Sequence, residues 1–243
     1  MRLGASLSRG ALVMNKTSAP SLSFFDSKKQ IYTLMLVFLS VLAVLKHLPD
    51  WLGTYLLSLF VVLQVYGPIY WLESRGFTIE HLGLPNHIFK ILKNMGWGFC
   101  FRCCLITFVP FVLCVHLYYT RVLQLHFYFA WPDSLLSLIF TQVLAVALPE
   151  ELFYRGFVMQ GLEVFYQDLT TNKHHYVALL VSSLFFAASH FVGEYHLARL
   201  ATFFPGLVMG FLYQKTRYLY VPIAYHACAN ILSEWLSLCY QSN

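Results

Sequence analysis

The chain has 243 residues, of which 58% are hydrophobic and 11% charged. Soluble domains carry roughly 25% charged residues, so a chain this poor in charge cannot cover a water-facing surface. Its net charge of +5 comes from Lys and Arg dispersed between apolar runs rather than gathered in a patch, which argues against a nucleic-acid partner and for residues that set orientation in a bilayer.

Residues 1–30 are polar and Ser-rich and lack the apolar core of a signal peptide. They read as a loose cytoplasmic tail, with Met14 as an alternative start and a transit peptide as a weaker reading. Residues 31–243 read as one membrane-embedded helical bundle. A span needs roughly 20 mostly apolar residues, and about seven stretches come near that: 31–45, 51–72, 95–119 (interrupted by Arg102), 134 to about 159, 176–192, 197–213 and 220–240. The fold class expected is therefore an all-α polytopic transmembrane bundle. Between the second and third spans, Gly76, Gly83 and Pro85 precede an amphipathic stretch with Ile88, Ile91 and Leu92. Between the third and fourth, residues 116–132 are aromatic and suit the membrane interface. The six cysteines fall in or beside apolar runs, and Cys100 and Cys103 have no second matching pair. They read as small apolar residues rather than a zinc site.

Orientation follows from the basic residues. The tail residues Arg2, Arg9 and Lys16 together with Lys28, Lys29, Arg75, Lys90, Lys93, Lys173, Lys215 and Arg217 fall on the N-terminal side, against Lys46, Arg121 and Arg199 on the other. This favours a multi-pass protein with a cytoplasmic N-terminus and an outside C-terminus, in the inner membrane if bacterial.

The fourth span carries three ionisable residues in the string Pro149-Glu150-Glu151-Leu152-Phe153-Tyr154-Arg155. Each costs roughly 2.5–3.5 kcal/mol at a bilayer centre on insertion scales. Glu151 and Arg155, four apart with the Glu first, can pair along one helix face. Glu150 is left without a local cation and is the sharper candidate for a general base. The competing reading is a helix end at the water interface. Two further spans weigh against it. Phe186 and His190 share a face of the fifth, and His226 and Asn230 share a face of the seventh. Polar groups in lipid need partners, and the nearest available are one another, so the three helices are expected to converge on one pocket. In the sixth span Gly206 and Gly210 form a GxxxG element that lets helices approach closely.

That pocket would hold a carboxylate, two imidazoles and an amide. The sequence has no His-Glu-x-x-His pair and no Gly-x-Ser-x-Gly elbow. Ser189 beside His190 is a nucleophile candidate, but adjacent helix residues point about 100° apart, so no hydrogen bond between them is expected. A Glu with a His can activate a water while a His and an Asn stabilise an oxyanion, which is amide hydrolysis. Two His and a Glu are also a zinc ligand set.

Glu150-Glu151-x-x-x-Arg155, Phe186-x-x-x-His190 and His226-x-x-x-Asn230, in this order on separate apolar helices, resemble the motifs of the CPBP family (CAAX protease and bacteriocin processing, also called ABI) of intramembrane peptidases. The stretch with Phe203, Gly206 and Gly210 is similar too, and the resemblance covers about residues 134–240. It implies a membrane endopeptidase like the type II CAAX prenyl proteases. Glu150 and His190 would activate the water, and His226 and Asn230 would form the oxyanion site. Glu151, Arg155 and Phe186 would act as supports. No cofactor is expected; zinc, named for this family as a metallopeptidase, is the less favoured alternative. The expected partners are the lipid bilayer and a membrane-associated peptide or protein substrate. A non-catalytic immunity or scaffold protein of the same fold is the second reading. A proton-coupled transporter ranks last, because no inverted repeat is visible.

Overall fold

The computed structural model describes residues 25–85, 97–166 and 173–242. The polar tail up to residue 24, Met14 and the amphipathic stretch around Ile88, Ile91 and Leu92 lie outside them. Among the described residues, seven helical rods follow the order of the apolar runs: α1 (Lys28–Leu45), α2 (Asp50–Glu73), α3 (Trp97–Leu117), α4 (Leu135–Phe165), α5 (Lys173–Glu194), α6 (Phe203–Thr216) and α7 (Tyr220–Leu238).

The first five rods are long and apolar enough to cross a membrane. The last two differ for identifiable reasons. The sixth apolar run opens in a tighter 3-10 turn, Leu197–Thr202, so that α6 has 14 residues. The 19 residues of α7 include His226, Asn230 and Glu234, which lower its hydropathy.

Helix starts follow local chemistry. Ser27 caps α1 by accepting from the Gln30 N–H, and Ser134 caps α4 by accepting from the Ser137 N–H at 3.2 Å. Just before α1, Asp26 accepts from the Gln30 side chain at 2.9 Å and from Arg75 at 3.1 Å, linking the start of α1 to the end of α2. The Gln30 bond first, and the Arg75 guanidinium second, hold the Asp26 carboxyl below its ordinary range. Pro68 and Pro110 sit inside α2 and α3, as membrane helices tolerate. After α3 the chain widens into a π turn at Tyr118–Val122. The aromatic segment then contributes a short strand, β1 (His126–Phe127), antiparallel to β2 (Tyr240–Gln241) after α7.

The polarity of this molecule runs opposite to that of a soluble domain. Large apolar side chains such as Leu63, Phe101, Ile106 and Leu113 are exposed on α2 and α3, while Glu151, Arg155, Glu163, Ser182, Ser189 and His226 are buried. An apolar exterior is the arrangement a bilayer favours, and interior polar groups then have to satisfy one another. α4 lies at the centre, packed against α2, α5 and α7; α6 lies along α5, and α3 reaches the bundle through α7. Gly206 and Gly210 form the α6 side of the contact with α5. A Cβ on Gly206 would stand 3.4 Å from both Phe186 and Ser183 and 3.6 Å from Arg155.

Candidate active site

α4 is 31 residues long, with Glu150 at its middle. At about 1.5 Å per α-helical residue the rod is at most roughly 46 Å long, its π segments rising less, and still exceeds about 30 Å of bilayer hydrocarbon. The Glu150-Glu151 string is therefore not a helix end. The apolar run continues past Met159, and the expected boundary there moves to Phe165. Two π segments, Thr141–Ala147 and Leu152–Met159, flank Glu150 and Glu151, and Pro149 lies between them. Proline removes a backbone donor, and wide turns accommodate that loss.

Glu151 and Arg155 are the most deeply buried charges. Arg155 Nη1 donates to Glu151 Oε1 at 2.9 Å, with 1% and 0% of their side chains exposed. Arg155 Nη2 donates to the Gly206 carbonyl at 3.2 Å, and its guanidinium lies 4.5 Å over the Phe186 ring. Glu151 has a second partner that the sequence reading did not assign. His226 Nδ1 donates to the same Oε1 at 2.8 Å. One buried carboxylate thus joins α4 to α7, and its cation joins α4 to α6.

Glu150 points elsewhere. Its Oε2 stands 3.8 Å from His226 Nε2 and 4.0 Å from His190 Nε2, and among the described residues it has no hydrogen-bond partner despite being buried. Both separations exceed a direct hydrogen bond. Each imidazole is oriented through its other nitrogen: His190 Nδ1 donates to the Phe186 carbonyl at 2.9 Å, and His226 Nδ1 is held by Glu151. Each His therefore presents Nε2 to Glu150. Phe186 closes the pocket wall, its ring 4.3 Å from that of His190 and 5.9 Å from that of His226. Glu150, Glu151 and Arg155 together carry one net negative charge.

Asn230 is drawn into a different contact. Its Nδ2 donates to Gln142 Oε1 at 2.9 Å, and Gln142 Nε2 donates to Glu234 Oε1 at 2.8 Å. Glu150, His190 and His226 stand within about one water of one another, while Asn230 stands one turn beyond His226 on the same α7 face, engaged with α4. Gln142 was not singled out in the sequence, although it is the one amide in the apolar run before Pro149. Ser189 is committed to structure: its hydroxyl donates to the Phe186 carbonyl at 2.7 Å and accepts from Tyr154 at 2.6 Å. Among the described residues, no group of three or more His, Cys, Asp or Glu is arranged to hold a metal ion.

A second buried carboxylate also escaped the sequence reading. Glu163 near the end of α4 accepts from Arg217 at 2.5 Å, Gln214 at 2.9 Å and His175 at 3.1 Å. Both its oxygens are engaged, so this cluster ties the ends of α4, α5 and α6 together rather than presenting a free base.

Residues 132–232 match a family model described as type II CAAX prenyl endopeptidase Rce1-like. No curated protein and no solved structure matches the chain.

Proposed function

We propose, because residues 132–232 resemble Rce1-like CAAX prenyl endopeptidases and carry the CPBP motifs, that this chain is a membrane peptidase which hydrolyses a peptide bond of a membrane-associated substrate with a water activated by Glu150 and His190. The observation that supports this most is the Glu150 carboxylate. One of its oxygens, Oε2, is buried and unpartnered among the described residues while the side chain as a whole stays one-fifth exposed, and two imidazole Nε2 atoms stand about one water's reach from that oxygen.

A water bonded between Glu150 and His190 would lose a proton to Glu150 as its oxygen attacks the scissile carbonyl carbon. The new C–O bond places negative charge on the carbonyl oxygen, where protonated His226 and the Asn230 amide are the available donors. Glu151 supports His226 in that form by accepting from Nδ1. When the tetrahedral species collapses, the C–N bond breaks and Glu150 returns its proton to the leaving amine. No step requires a metal.

The pocket lies at the middle of a rod longer than the bilayer, so the substrate would reach it from within the membrane or from its surface. The test is cleavage of membrane-tethered peptides, prenylated and unprenylated, in liposomes. Turnover by the wild type that Glu150→Gln abolishes supports the peptidase. No cleavage by either favours a non-catalytic protein of the same fold.

A further inference from the structure

We propose that Gln142 and Glu234 are positioning residues which fix the direction of the Asn230 carboxamide; the inference rests on the peptidase reading above. A carboxamide turned end for end keeps nearly the same shape, so packing alone does not set which edge donates. Here a carboxylate sets it. Glu234 can only accept, so Gln142 must present Nε2 to it, and that bond is 2.8 Å. Gln142 then has only its carbonyl oxygen to offer Asn230, so Asn230 must present Nδ2, at 2.9 Å. The order of donation, Asn230 to Gln142 to Glu234, follows from the charge at its end. One Nδ2 hydrogen is held by Gln142, and the second is fixed in direction on the same nitrogen. That hydrogen is the donor the oxyanion role requires.

Burial supports the assignment. Gln142 is 6% exposed in an apolar helix, where an unpaired amide is costly, while Glu234 is exposed on the α7 face that also carries His226 and Asn230. A peripheral carboxylate thus acts on the pocket through one buried amide.

The experiment compares kcat and KM for peptide cleavage in Glu234→Ala, Gln142→Leu and the double exchange Gln142→Glu with Glu234→Gln. The exchange preserves the direction, because a carboxylate at 142 accepts from Asn230 Nδ2 and an amide at 234 donates to it. Removing one oxyanion donor costs about 10²–10³ in kcat, and releasing its orientation forfeits part of that. The expected result is a fall in kcat of about tenfold or more in both single variants at nearly unchanged KM, with most of it restored by the exchange. Thermal melting shows which variants fold, and Glu234→Ala, at an exposed site, carries the test if Gln142→Leu does not. Wild-type kcat in folded Glu234→Ala, or a folded exchange variant as slow as the singles, overturns this inference alone. Absence of cleavage by the wild type overturns the peptidase reading and this inference with it.

Discussion

Glu150 and Glu151 are consecutive in the chain yet meet different neighbours, because successive helix residues point about 100° apart. Glu151 is bound by Arg155 and His226; Glu150 faces two imidazoles without a direct bond. Glu150→Gln is therefore expected to fold normally and lose cleavage, since an amide cannot take the water's proton. Glu151→Gln is expected to lower stability by roughly 3–5 kcal/mol, because Arg155 is left buried with its main partner neutral. Arg155→Gln added to Glu151→Gln should recover part of the folded yield. It should not recover cleavage, because His226 still lacks its carboxylate. Purified variants compared by thermal melting and peptide cleavage check this, and a folded, active Glu151→Gln would refute the supporting role.

At the scale of the elements, the pocket depends on how closely α6 approaches α5 and on how their ends are tied. Gly206→Ala places a methyl at ordinary contact distance from Phe186, Ser183 and Arg155 and should leave melting nearly unchanged. Gly206→Leu has no such space and should push α6 away. The Arg155 bond to the Gly206 carbonyl and the Phe186 wall would then be disturbed, and both Tm and cleavage should fall. At the far end, Glu163→Gln keeps the shape but removes the charge that Arg217 binds. About half of the Arg217 side chain is exposed, so the loss is expected at only about 1–2 kcal/mol, read as a lower Tm with cleavage retained. A variant that loses turnover without losing stability would show that this cluster does more than hold helix ends.

For the whole molecule, the question is how many rods cross the bilayer. The 14 residues of α6 reach only about 21 Å, but the preceding 3-10 turn of six residues adds about 12 Å, which together match a hydrocarbon core of about 30 Å. If all seven rods cross, the termini lie on opposite sides, and with the basic residues favouring a cytoplasmic N-terminus an N-terminal reporter should lie in the cytoplasm and a C-terminal one outside it; both on one side would refute the count. Some of this was legible from the residues alone. Apolar runs near span length specify helices in a bilayer, because backbone groups in lipid must be satisfied within the segment. Ionisable residues in such runs stand out, because each is expensive unless partnered. Spacing of three or four also brings Glu151 to Arg155, because that pairing is local to one helix. The rest depended on partners distant in the chain. Gln142 and Glu234 are 92 residues apart, and Arg217 is 54 residues from Glu163. Nothing in the local pattern marks an amide or a carboxylate as paired across helices. Only the packing of α4 against α7 gave Glu151 its second partner and turned Asn230 toward Gln142, because side-chain direction across an interface follows from helix rotation and contact, which no local periodicity encodes.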